Sequence, residues 1–101
     1  MVELKKLQEE VIKNKVNKGF NIKDLNLEFL LAYGELAEAF NAYQNKEEDL
    51  GEELADVVIY ILGIAEMLDI DLEVELLKKI EKNKRRKYIK KEDGKWIKIE
   101  G

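Results

Sequence analysis

The sequence predicts an all-α fold, an antiparallel four-helix bundle that ends in a short C-terminal β-hairpin. Three observations carry that expectation. Apolar residues recur at three- and four-residue spacing in four successive stretches, the period of one helical face. The breaks between those stretches are short and carry Gly, Asn and Asp, so consecutive helices should return antiparallel. Beyond residue 87 short apolar runs flank Asp93-Gly94, which signals a hairpin. At 101 residues the chain is expected to form one domain, with a helical core over about residues 2–87 and a ribbon over about 88–100.

The first helix, about Val2 to Asn17, places Leu4, Leu7, Val11 and Val16 near helical spacing and fills its other faces with Lys and Glu. Gly19 and Asn21 end it and leave Phe20 in a loop, where packing on the second helix is expected ahead of stacking on a ligand. The second helix starts after Asp24 or Asn26 as cap and runs to about Gln44, carrying Leu27, Leu30, Leu31, Leu36, Ala37, Phe40 and Tyr43. Gly34 costs about 1 kcal/mol relative to alanine inside a helix, which implies close helix contact or ligand access at that point. The third helix, about Leu50 to Leu68, is the central one. Leu54, Val57, Val58, Ile61, Leu62, Ala65 and Leu68 give it a broad apolar face, and Glu53, Asp56 and Tyr60 a narrow polar stripe. Asp71 is the candidate cap of the fourth helix, about Leu72 to Lys87, with Leu76, Leu77 and Ile80 expected inward. The two terminal strands are marginal alone, so Trp96 is expected to pack on the helices or across a subunit contact.

Composition removes several kinds of chemistry. The chain has no Cys and no His, hence no disulfide, thiolate ligand, cysteine nucleophile or imidazole base. Its 22 acidic against 18 basic residues give no global attraction to nucleic acid or to a membrane surface. No apolar stretch approaches the roughly 20 residues of a bilayer span, and the amino terminus lacks a signal-peptide pattern, so a cytoplasmic protein is expected. Catalysis here would run on carboxylates, amines, phenols or a bound metal.

Glu35 and Glu38 on the second helix, and Glu53 and Asp56 on the third, are the most informative residues. Each pair is three apart and shares a helical face, and a short connection makes the two helices antiparallel neighbours. Four carboxylates facing one groove repel one another and raise their own pKa values; a divalent cation turns that repulsion into affinity. Such oxygen sites suit Mg²⁺, with Mn²⁺ as the alternative, and those ions serve chemistry on phosphate esters, where they hold the phosphoryl group and lower the pKa of a bound water. A carboxylate not fully engaged with metal could accept that water's proton. The competing interpretation is structural. A Glu-x-x-Glu pair is common in a chain with 16 Glu, and Lys residues of the fourth helix could neutralise the carboxylates as ion pairs.

The string Gly34-Glu35-Leu36-Ala37-Glu38-Ala39-Phe40, followed by Glu52-Glu53-Leu54-Ala55-Asp56-Val57-Val58-Ile59-Tyr60, resembles the MazG-like all-α NTP pyrophosphohydrolase superfamily, whose signature is Glu-x-x-Glu and, after a gap, Glu-x-x-Asp. The resemblance extends to Asn17-Lys18-Gly19-Phe20 and to residues 79–86. It implies carboxylates that bind Mg²⁺, cleavage of a nucleoside triphosphate between its α and β phosphates, and a homodimer or homotetramer. It matches Lys79, Asn83 and Arg86 to a phosphate-binding Lys-x-x-x-Asn-x-x-Arg pattern, with Arg85 as the alternative to Arg86, and Tyr60 to a nucleotide-contacting position. Many members carry a further Glu three residues before the one matching Glu35, where this chain has Ala32. In a second register Glu38 is the fourth carboxylate. Two rival functions follow: a helical assembly module that keeps the fold without turnover, favoured by Ala32, and a nucleic-acid-binding accessory protein using the basic end of the fourth helix.

Overall fold

The computed structural model describes residues 2–100 and gives the order α1 (Leu4–Lys18), α2 (Leu25–Gln44), α3 (Leu50–Met67), α4 (Leu72–Arg85), β1 (Lys87–Lys90) and β2 (Trp96–Glu100). The all-α reading with a terminal hairpin holds, and every helix lies within about three residues of its expected bounds. Local chemistry explains the ends. Asp24 caps α2, its side chain accepting from Leu27 N at 3.0 Å, and Asp71 caps α4, accepting from Val74 N at 3.2 Å. Gly19, in the left-handed conformation with φ 74°, closes α1, the backbone state glycine adopts at least cost. Gly94, with φ 87°, turns the hairpin, where Ile89 pairs with Ile97 and Lys90 with Trp96.

The α2 and α3 helices form the principal contact, α1 packs across α3, and α4 leans on α1. Where α1 crosses α3, Gly63 is buried, and a Cβ there would meet Val11 Cγ1 at 3.3 Å, so the small residue permits the close crossing. The buried apolar side chains are few: Ala39, Ala42, Leu62, Ile64 and Ala65.

Two polar side chains are buried more deeply than any large apolar one. Gln8 is fully buried; its Nε2 donates to Ile70 O at 2.8 Å and to Glu66 Oε1 at 3.2 Å, and its Oε1 accepts from Leu72 N at 2.9 Å. One glutamine thus satisfies backbone groups on both sides of the α3–α4 turn, groups that helix ends leave without partners. Glu28, at the start of α2, is bonded to Lys15 of α1, and its second oxygen accepts from Asn21 Nδ2 at 3.1 Å. Leu4 N, at the open end of α1, donates to Glu73 Oε1 of α4 at 2.7 Å.

Much apolar surface stays uncovered. On α2, Phe29, Tyr33, Leu36, Phe40 and Tyr43 are exposed at alternating four- and three-residue intervals; on α3, Leu54, Val58 and Ile61, with Leu68 at its C-cap, continue a similar stripe. Such spacing is the seam of helices that pack on other helices. The accessible surface of 8099 Å² exceeds the roughly 5,900 Å² expected of a folded monomer of 11.8 kDa. The radius of gyration, 16.9 Å, compares with about 12.7 Å for a compact domain of this length. Leu76, Leu77 and Ile80, expected inward, are exposed because α4 contacts the rest of the chain chiefly through the start of α1. Trp96 and Phe20 are likewise exposed, and Gly34 faces open space, so nothing within one chain requires it.

Glu28→Ala leaves the Lys15 ammonium without its carboxylate in a nearly closed site and is expected to cost about 3–5 kcal/mol in denaturant unfolding. The pair Lys15→Met/Glu28→Leu should recover most of that loss. Gln8→Leu, which orphans groups at both helix ends, should cost about 1–3 kcal/mol.

Candidate metal centre

The short α2–α3 connection, Asn45 to Asp49, brings the helices back antiparallel and places the acidic residues of both on one groove. One carboxylate oxygen from each of Glu35, Glu38 and Glu53 lies within 4.8 Å of the other two. Asp56, one turn along α3 from Glu53, is exposed and outside that grouping, yet near enough to act on both Glu35 and Glu53. Ala32 precedes Glu35 by one turn of α2 and supplies no oxygen.

The electrostatics are those of an acidic site without a counter-charge. Burial pushes the Glu35 carboxyl above the usual carboxylate range, and repulsion from Glu38 and Asp56 and direct contact with Glu38 add to it. Glu53 is raised for similar reasons, burial first, then Glu38, Asp49, Asp56 and Glu35. The charged groups that raise these two residues, Glu38, Asp49 and Asp56, with Glu35 acting on Glu53, are all carboxylates. Oε2 of Glu35 and Oε2 of Glu53 are buried with no hydrogen-bond partner, although native proteins rarely leave buried acceptors unpaired. Hard oxygen donors, mutual repulsion and one orphaned acceptor on each of Glu35 and Glu53 fit a divalent cation of the Mg²⁺ or Mn²⁺ type.

Tyr60 lies one turn beyond Asp56. Burial raises its phenol pKa, helped by Glu35, Glu28, Asp56 and Glu38, so the ring adjoins the acidic groove. Its face is 5.7 Å from Lys15 Nζ, within cation–π range. On the α1 side Tyr60 lines an apolar cavity of about 720 Å³ whose walls include Val11, Asn14, Phe20, Ala55 and Ile59. Phe20 therefore faces α1 and α3, where packing on α2 was expected.

The basic residues do not join this site within one chain. Lys79 has its pKa lowered by Arg86 first, then by burial, Lys82 and Lys98; its electrostatic surroundings are cationic. Asn83 Oδ1 accepts from Arg86 Nη1 at 3.3 Å, and Arg85 pairs with Glu81 on its own helix. The structural alternative for the carboxylates, neutralisation by lysines of α4, is absent among the described residues. The Lys15–Glu28–Asn21 cluster near Tyr60 carries no signal in the sequence, because spacing alone does not reveal which of many Lys and Glu residues are buried.

An antiparallel helix pair that gathers carboxylates in one groove defines a class of all-α proteins built around an acidic metal-binding centre. The sequence model of the MazG-like family matches residues 21–98, and the chain belongs to that family. The match spans α2 to the hairpin, including all four carboxylates, and leaves out α1 with the Gly19 and Phe20 that follow it. No curated protein and no solved structure matches the chain. The family is associated with metal-dependent nucleotide pyrophosphohydrolases. No helix among the described residues is long and apolar enough to cross a membrane.

The raised carboxyl pKa values set the pH dependence of metal-free stability. Because the folded state favours the neutral acids, their contribution is fully present below the ordinary carboxylate range and is lost as pH rises through the elevated folded values. Mg²⁺ or Mn²⁺ should therefore raise the melting temperature at neutral pH, by roughly 2.7 kcal/mol of stabilisation at a hundredfold excess over Kd, and have little effect in acid. Melting scans with chelator, Mg²⁺ and Mn²⁺ across pH check this. Glu53→Gln should abolish the metal-induced rise and make the metal-free protein more stable at neutral pH.

Proposed function

We propose that this protein is a Mg²⁺-dependent nucleoside triphosphate pyrophosphohydrolase, releasing a nucleoside monophosphate and pyrophosphate in nucleotide pool control or housecleaning. The observation that carries this reading is that Glu35 and Glu53, each with one buried, unpartnered oxygen, share with Glu38 a grouping of carboxylate oxygens within 4.8 Å of one another, in a chain of the MazG-like family. Glu35, Glu38 and Glu53 would hold the ion, with Asp56 at its edge. When bound, the ion neutralises charge on the phosphates and makes water a better nucleophile.

The remaining work falls to the chain. Asp56, exposed and outside the tight grouping, would orient the attacking water and accept its proton. Lys79, Asn83 and Arg86 supply charge-assisted hydrogen bonds to the triphosphate. Tyr60 and the cavity beside it take the base, with Glu10, Asn14 and Lys15 as polar contacts on a mainly apolar wall. Ala32 supports a second reading, a helical module that assembles without turnover, since the ligand many relatives place there is missing. As in the family, assembly as a homodimer or homotetramer is proposed for either reading.

Incubation with each common NTP and dNTP plus Mg²⁺, with separate detection of pyrophosphate and orthophosphate, tests the proposal. Pyrophosphate should form in equal amount with monophosphate. Glu53→Gln should lower turnover at least about a hundredfold, the consequence of losing a few kcal/mol of transition-state charge stabilisation. If no nucleotide is cleaved with Mg²⁺ or Mn²⁺, the assembly module takes its place.

A further inference from the structure

We infer that the C-terminal ribbon is a binding surface for single-stranded nucleic acid: Tyr88 and Trp96 form a stacking platform for bases, and Lys90 and Lys98 on the same face hold the phosphates between them. This function is separate from the acidic groove and does not rest on the proposed hydrolysis.

The register of the ribbon places these residues together. Tyr88 pairs with Lys98, Ile89 with Ile97 and Lys90 with Trp96. Directly opposed residues share a face of an antiparallel pair, and successive residues alternate between faces. Tyr88, Lys90, Trp96 and Lys98 therefore lie on one face, and Ile89 and Ile97 on the other. On the first face the two aromatic residues are diagonal neighbours, roughly 7–8 Å apart, and each has a lysine opposite it. That face is uncovered: Trp96 is 63% and Tyr88 45% exposed, and the ribbon packs substantially only on itself. Aromatic rings open to water and flanked by lysines are the arrangement on which unpaired bases stack with little regard to sequence.

Charge selects the occupant. Residues 78–98 hold 11 of the 18 basic residues and 3 of the 22 acidic ones, so a chain whose net charge is −4 has one strongly cationic end. Lys98 and Tyr88 both act on Lys79, so the platform adjoins the basic surface of α4, and the two form a track for a polyanion longer than one nucleotide. An acidic protein would answer the charge and leave the rings without partners. A duplex would answer the charge and keep its bases stacked on one another, since unstacking them costs energy. An unpaired strand answers both.

Trp96 is the only tryptophan, so its emission reports on the platform directly. Titration of the wild-type chain with a short oligo(U) or oligo(dT), in chelator to keep the groove metal-free, should quench Trp96, with log K falling against log salt by about 0.7 for each phosphate held. Lys90→Gln/Lys98→Gln should flatten that slope by about 1.4. Tyr88→Ala should weaken binding about tenfold or more, while Ile89→Thr, on the opposite face and compatible with a strand, should leave it unchanged. No quenching at low salt overturns the inference, as does equal binding of a duplex of the same length, equal quenching by a free nucleoside triphosphate, or binding lost in Ile89→Thr and retained in Tyr88→Ala. Emission that shifts with protein concentration in the absence of nucleic acid would assign the face to a second copy of the chain and overturn it too. Strand binding by a protein that cleaves no nucleotide would uphold the inference and reject the enzymatic reading.

Discussion

The docking of α1 through buried polar groups is the constraint on which the rest depends. With five large or small apolar side chains buried among the described residues, hydrophobic burial inside one chain cannot by itself fix how α1 lies on α2 and α3. Gln8 binds both sides of the α3–α4 turn, and the Lys15–Glu28 pair ties α1 to the first turn of α2. Each is directional, and a register shift of α1 would leave several buried groups unpaired at once. A buried ion pair adds little net stability compared with apolar packing, so its contribution here is to single out one arrangement. That arrangement positions Tyr60 against Lys15 and sets one wall of the cavity beside the acidic groove.

The acidic groove is the opposite case, a place where the fold tolerates repulsion. Glu35 and Glu53 carry buried oxygens with no partner and stand among other carboxylates, a combination that opposes folding at neutral pH. Proteins break the rules of polar satisfaction mainly at functional sites, and a cation is the simplest remedy for this set of donors. The same helices carry the strongest apolar seams, so the groove is held by elements whose outer faces are themselves uncovered. A bound cation would complete what the groove leaves open.

The helices were legible because their signals are local: Asp24 and Asp71 as caps, Gly19 as terminator and Asp93-Gly94 as turn all sit in the sequence where the backbone uses them. The carboxylate groove was legible too, since three-residue spacing on antiparallel neighbours determines which side chains converge, although Asp56 stands at its edge and outside the tight group. What remained hidden depends on burial. Nothing distinguishes Gln8 or Glu28 by type or spacing from the many exposed polar residues around them. Leu76, Leu77 and Ile80 have the right periodicity for an inward face, but periodicity marks a face to be covered and does not say what covers it. The α2 stripe from Phe29 to Tyr43 was written in the spacing and merged there with the face toward α3, because a helix with apolar residues on two sides reads from sequence as one broad apolar surface.

A helix that is apolar on two sides constrains how the acidic groove is held. The inner face of α2 packs on α3, while Phe29, Tyr33, Leu36, Phe40 and Tyr43 stay at the surface, so the carboxylates sit between a packed seam and an open one. Repulsion among Glu35, Glu38, Glu53 and Asp56 works against that inner seam at neutral pH, and the α2–α3 packing has to outweigh it. A bound cation would relieve the repulsion without separating the two helices, which ties the stability of the helix pair to the charge state of the same few carboxylates.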